Sequence, residues 1–260
     1  MTDAAAAVLA GRGVLVTGAS SGIGRAIALA AARAGADVAL TFCTNDDRAR
    51  GVERDIRALG RRAAAIHLDL RDERSARAVG PAALDALGRL DVWVNNAGAD
   101  ILTGPAASLS NVEKLDLLLA VDLRGTILAS WCAAKLLASQ EAGGVIINMS
   151  WDHVLTGMAG TNPQMFAAVK GGVLAFSKSL ARSVAPRVRV NVLAPGWIET
   201  SFAAGLEERN AELRRRVTES TPLKRWGTPD DVAGAAVFLA SPAAAFLTGQ
   251  TIMVGGGLVM

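Results

Sequence analysis

The chain has no tyrosine, only two histidines and two cysteines, and an aromatic content of 4%. With no phenol available, any proton a reaction needs must come from another group, because the benzyl side chain of phenylalanine cannot donate one. Cys43 and Cys132 stand far apart, with neither a CxxC spacing nor neighbouring histidines. Neither a disulfide framework nor a metal centre is therefore indicated, and two reduced thiols are expected. Charge of one sign is equally scarce: 27 Lys and Arg are scattered among 24 Asp and Glu for a formal net charge of +3. The densest basic cluster, Arg214 to Arg216, is too short for a nucleic-acid face. No segment reaches the length of a membrane span without glycine or charge, and the start (Met1, Thr2, Asp3, then alanines) has no positively charged region ahead of an apolar run. A soluble cytoplasmic protein with no nucleic-acid or membrane partner is expected.

What the chain does have is apolar bulk, 51% of 260 residues, enough to bury the core of one large domain spanning 1–260. Short apolar runs bounded by turn residues recur at Val14–Val16, Val38–Phe42, Ala63–Leu68, Val92–Val94, Val145–Met149, Val188–Leu193 and Thr251–Val254, separated by longer helical patterns. Strands that do not alternate in polarity and are spaced by helices predict an α/β fold: a doubly wound parallel sheet (Rossmann fold) of about seven strands, with right-handed crossovers. The charged helical pattern from Thr200 to Thr221 interrupts this alternation and reads as a lid over the site.

At the first strand the chain runs from Val16 into Thr17, Gly18, Ala19, Ser20, Ser21, Gly22, Ile23 and Gly24, and a helical pattern follows from Arg25. Glycines there let the backbone approach a pyrophosphate, while the helix start offers N–H groups and the positive end of its dipole. The spacing TGxxxGxG resembles that of the short-chain dehydrogenase/reductase family, in its ketoacyl-reductase-like branch. Further similar motifs follow in order: Asp69 after the third strand, Asn95–Asn96–Ala97–Gly98 after the fourth, Asn191, Pro195, Gly196 and Thr200 after the sixth, then Arg225, Gly227, Pro229, Asp231, Val232 and Thr248, Gly249, Gln250. The resemblance covers essentially the whole chain. It implies a nicotinamide cofactor contacted by Gly18, Ser20, Ser21, Gly22, Ile23, Gly24, Asp69, Leu70, Asn96, Ala97, Gly98, Lys170, Pro195, Gly196, Ile198 and Thr200. An acid at the end of the second strand would bind the ribose hydroxyls of NAD; here Thr41, Phe42, Cys43, Thr44 and Asn45 hold none before Asp46 and Asp47. That favours NADP(H) over NAD(H), with Arg48 or Arg25 to meet the extra phosphate.

The resemblance also implies a catalytic set in which a tyrosine four residues before a lysine delivers the proton, a serine orients the substrate and an asparagine holds a relay water. Lys170 matches, but Phe166 stands in the tyrosine position and reads as a packed aromatic. Asp122 replaces the asparagine, and Lys170 is the obvious partner for its charge; it acts on a proton or is a structural ion pair. Ser150 matches the serine, yet the loop after it is about two residues longer than usual in the family, so that Asp152 or His153 can point into the same space. His153 is otherwise a surface or structural histidine, and His67, in an expected buried strand, is given no role.

Aspartate for asparagine, a kept lysine and a lost tyrosine resemble the peroxisomal-type dienoyl-CoA reductases of the same family. The leading reading is an atypical NADP(H)-dependent oxidoreductase reducing a conjugated C=C, C=N or C=O bond. The alternatives are a non-redox dehydratase, isomerase or cyclase on the same scaffold, and a non-catalytic nucleotide-binding subunit. Trp151, Trp197 and Met158 suggest a small apolar or aromatic substrate. The apolar C-terminal segment from Ala243 suggests a homodimer or homotetramer, as family members commonly form.

Overall fold

Seven strands lie side by side in the order β3-β2-β1-β4-β5-β6-β7, every neighbouring pair parallel. They are β1 (Gly13–Val16), β2 (Asp37–Phe42), β3 (Ala63–His67), β4 (Val92–Asn95), β5 (Gly144–Met149), β6 (Val188–Pro195) and β7 (Thr251–Val254). This computed structural model describes residues 7–200 and 211–260.

The unalternating strands are apolar on both sides because both faces of the sheet are covered. Val14, Val16, Val38 and Leu40 pack under α1 (Gly22–Arg33), α2 (Asp46–Ala58) and the helix Pro229–Ala240. Leu15, Ala39, Trp93 and Ile146 face α3 (Glu73–Leu87), α5 (Thr126–Ala138), which continues the run begun by α4 (Asn111–Leu118), and α6 (Thr161–Val184). Strand order reverses between β1 and β4, and in such sheets a crevice opens at that point beyond the carboxyl ends of the strands. The glycine loop leaves β1 and the Asn95–Gly98 turn leaves β4 into that crevice.

One expectation is revised. His67 is exposed, because β3 is the outermost strand; its ring meets Phe42 edge-on instead of entering the core. The stretch Asn111–Ala138 is a continuous helical run of 28 residues, long and apolar enough to cross a membrane by length and composition. In this fold it carries Asp122 and Arg124, and its Ala129, Ala133 and Leu137 pack in the core beside the sheet. Of the lid expected at 200–221, Ala211–Ser220 is a helix, and residues 201–210 lie outside those described.

Asp91 ties the starts of β1 and β4 together, accepting from the Gly13 N–H and from the guanidinium groups of Arg12 and Arg89. Burial pushes its carboxyl up, but the Arg89 hydrogen bond, the Gly13 N–H and the two positive charges outweigh burial and hold it below the usual carboxylate range. A depressed folded-state value means stabilisation that is present above the unfolded value of about 3.9 and lost as pH falls through the folded one. Asp91→Asn is expected to cost on the order of 2 kcal/mol at neutral pH. It should also weaken the loss of stability in acid, as read by urea unfolding at several pH values; an unchanged acid limb would show that Asp91 does not carry it.

Candidate active site

The nucleotide end is built from short polar bonds around glycines. Thr17 Oγ1 accepts from the N–H groups of Asn96 and Ala97, both at 3.0 Å, which locks the β1 and β4 loops together. Gly18 has φ +64°, and a Cβ there would lie 2.7 Å from Ala97 Cα. A Cβ on Gly24 would lie 2.4 Å from both Asn96 Nδ2 and the Gly18 carbonyl. Asn96 Nδ2 donates to the carbonyls of Thr17 and Gly18 at 3.0 and 3.1 Å, so its side chain braces the loop. The N-cap Ser21 makes no side-chain cap and the first turn of α1 has no acid, which leaves the N–H groups and positive dipole end available to an anion. Thr200 comes back over this loop: its methyl is 3.7 Å from where a Gly22 Cβ would sit.

Farther along the crevice, Leu70 is buried and Asp69 is exposed enough to meet a ligand. The Arg71 guanidinium grips Asp69 and holds its carboxyl below the usual range. Arg71 also exerts its charge on Cys43, at the end of β2. Sequence reasoning passed over Arg71; its place two residues after Asp69 was the available signal. Arg25 is engaged with Asp55, 3.0 Å away.

Beneath the crevice a buried polar chain joins β4 and β5. Trp93 Nε1 donates to Asn95 Oδ1, Asn95 Nδ2 donates to Asn148 Oδ1 and Ser130 Oγ, and Asn148 Nδ2 donates to Ser177 Oγ, at 2.8–3.0 Å. Asn95 and Asn148 are paired in register, which neither residue's own sequence context reveals.

The catalytic end begins at a π-helical turn, Leu119–Gly125, a form found mostly at functional sites. It carries Asp122, which is 1% exposed. Asp122 Oδ1 accepts from the Ala99 N–H at 2.8 Å, and Oδ2 lies 2.8 Å from Lys170 Nζ. Gly98 is needed beside it, since a Cβ would come within 2.7 Å of Oδ2. Ser150, 6% exposed, donates from Oγ to the Lys170 carbonyl at 2.9 Å. One turn before Lys170 on α6, Phe166 packs with Ile101, Leu118 and Val169, an apolar setting that offers no proton.

After β5 the chain places Trp151, Asp152 and His153 in sequence. His153 Nδ1 is 2.6 Å from Asp152 Oδ1, and the Trp151 ring stacks on the imidazole at 5.0 Å and meets Phe166 edge-on at 6.4 Å. Pro195 and Gly196 close the end of β6, with Gly196 N–H donating to the Val254 carbonyl at 3.1 Å. Ile198 is buried, and Trp197 packs on Trp226. Among the described residues no group of three or more His, Cys, Asp or Glu could hold a metal ion.

The slots that any Cβ would fill at Gly18 and Gly24, and the uncapped helix start they lead to, fit a dinucleotide pyrophosphate. Comparison with known proteins agrees. A family model described as enoyl-(acyl carrier protein) reductase matches residues 18–259. A 3-oxoacyl-(acyl-carrier-protein) reductase of Synechocystis sp. is 37% identical over 249 residues, 95% of this chain and 96% of its own. An L-rhamnose 1-dehydrogenase (NAD(P)+) of Sphingomonas sp. is 36% identical over 252 residues, 96% of this chain and 97% of its own. The crystal structure of a dehydrogenase/reductase from Sinorhizobium meliloti superposes with a TM-score of 0.85 at 34% identity, covering 97% of both chains. The chain belongs to the short-chain dehydrogenase/reductase family, and with it to the NAD(P)-dependent oxidoreductases.

Proposed function

We propose that this protein is an NADP(H)-dependent reductase of a conjugated C=C, C=N or C=O bond in a small apolar substrate, working without an acid at position 166. The observation that carries the reading is the contrast on α6: Phe166 is half-buried against apolar side chains, while Lys170, one turn on, is paired with Asp122. When bound, the reduced nicotinamide supplies a hydride. Gly18 to Gly24, Asp69, Leu70, Ala97, Gly98, Lys170 and the 195–200 segment hold it, Asn96 bracing the loop from behind. Lys170 is fixed for a ribose by Asp122, and Ser150 fixes the backbone of the same helix turn. Of these acceptors a conjugated C=C or C=N suits the site best, because its final proton goes to a carbon or nitrogen and not to a carbonyl oxygen. NADP(H) is favoured over NAD(H) because the end of β2 has no acid to repel a 2′-phosphate, while Arg71 lies beside Cys43 and Arg48 sits in the first turn of α2. The segment 200–221 serves as the substrate lid. A cytoplasmic homodimer or homotetramer is the working unit, supported by exposed apolar side chains at Trp131, Phe238 and Phe246.

The test is NADPH consumption with a cyclic enone, a cyclic imine and a simple ketone. The wild type should favour the enone or imine, and Phe166→Tyr should raise ketone reduction by about 100-fold, the low end of what a positioned acid contributes. A wild type that already reduces the simple ketone as fast as Phe166→Tyr contradicts the reading.

A further inference from the structure

We propose that His153 is the proton donor of this site and Asp152 the residue that positions it, an inference that rests on the reductase reading above and supplies its missing acid. Three features of the pair carry it.

The first is the fixed orientation of the ring. The Asp152 side chain is wholly buried and its Oδ1 lies 2.6 Å from His153 Nδ1. A carboxylate in that place accepts from Nδ1–H, so the neutral ring keeps its acceptor at Nε2 and the charged ring carries its donatable proton there. Asp152 is the charged side chain recorded against His153 among the described residues; Lys170 and Asp122 are engaged with each other.

The second is the slot that holds Asp152. Its Oδ2 is buried and has no hydrogen-bond partner among the described residues. It rests against Gly196, beyond β6, and Gly255, beyond β7, and a Cβ would lie 2.4 Å away from it on the first and 2.5 Å on the second. Two glycines at the ends of separate strands thus make room for one carboxylate that gains nothing from them but a fixed place. A buried acceptor left unsatisfied in this way calls for an explanation, and holding a neighbouring imidazole in register is one.

The third is location. The pair follows Ser150 and Trp151 at the carboxyl edge of the sheet, Gly196 is among the residues expected to contact the cofactor, and Trp151 touches both the imidazole and Phe166. The competing acid is already committed, since Asp122 gives one oxygen to Lys170 and the other to the Ala99 N–H. In the step itself the Nε2–H bond of the imidazolium breaks, and its proton joins the electron pair left at the far end of the substrate π bond that a hydride from reduced nicotinamide has opened. The imidazole is left neutral and regains its proton from water.

The experiment uses full-length protein labelled with 15N-histidine, with His67→Gln to assign the two rings, together with NADPH-dependent reduction of a cyclic enone and a cyclic imine. Neutral His153 should show the Nδ1–H tautomer and lose it in Asp152→Asn. His153→Gln and Asp152→Asn should each lower kcat about 100-fold, the low end of what an acid contributes, and remove one limb of the pH profile while NADPH affinity stays within about twofold, well under the tenfold that corresponds to 1.4 kcal/mol. Gly255→Ala should reproduce the Asp152→Asn loss. An Nε2–H tautomer, or a His153→Gln enzyme with wild-type kcat and pH profile, overturns the inference alone. A wild type that binds no NADPH or turns over neither probe overturns the reductase reading and the inference with it.

Discussion

Lys170→Met should both destabilise the protein and loosen its hold on NADPH. The substitution leaves the Asp122 carboxylate, 1% exposed, with the Ala99 N–H as its remaining recorded partner. Removing one member of a buried ion pair costs about 3–5 kcal/mol, because the other charge stays buried uncompensated. Lys170 keeps some contact with solvent, so the lower end of that range applies. Denaturant unfolding reads the loss, and calorimetric titration should show NADPH affinity falling by about tenfold, a change of 1.4 kcal/mol. The double variant Lys170→Met, Asp122→Leu removes both charges and should recover much of the stability without recovering the affinity. Unchanged stability in Lys170→Met would mean the ion pair contributes nothing; unchanged affinity would remove Lys170 from the cofactor site.

Gly24→Ala acts on the other end of the crevice with a comparable effect. Its Cβ would fall 2.4 Å from Asn96 Nδ2 and 2.4 Å from the Gly18 carbonyl, and both atoms belong to the bond that holds the β1 and β4 loops together. The loop must move, which costs about 1–3 kcal/mol of stability by overpacking. Displacing the N–H groups meant for the pyrophosphate should weaken NADPH binding at least about 100-fold, or 2.7 kcal/mol. Gly51→Ala in α2 is the control, because a Cβ there meets nothing closer than Arg54 Nη2 at 3.9 Å and alanine favours a helix interior. It should leave binding unchanged and raise stability slightly. A Gly24→Ala protein that binds NADPH normally would show that the loop is not the pyrophosphate site.

The parallel sheet was legible because strands covered on both faces are apolar at every position, so Val14, Leu15 and Val16 announce themselves without regard to neighbours. The glycine loop was legible because its residues are consecutive and the strand and helix around it are local. His67 was misjudged for a related reason: Ala63 to Ile66 are apolar enough for an interior strand, and only the completed strand order puts β3 at the edge. The π-helical turn around Asp122 depends on Gly98 and on Leu70, which a Cβ on Gly125 would meet at 2.7 Å, and both lie far from it in sequence. The same holds for the slot around Asp152, assembled from residues 152, 196 and 255. Sequence reasoning named Asp152 and His153 as alternatives; the structure joins them into a pair, with Trp151 beside both His153 and Phe166.

The central claim is that an intact nucleotide site serves a reaction whose acid is not at position 166, and the most direct measurement is calorimetric titration of the cofactor-free protein with NADPH and with NADH. The account predicts NADPH binding with a Kd on the order of micromolar or tighter and NADH at least about tenfold weaker, a difference of 1.4 kcal/mol or more. Binding of neither nucleotide would contradict it outright.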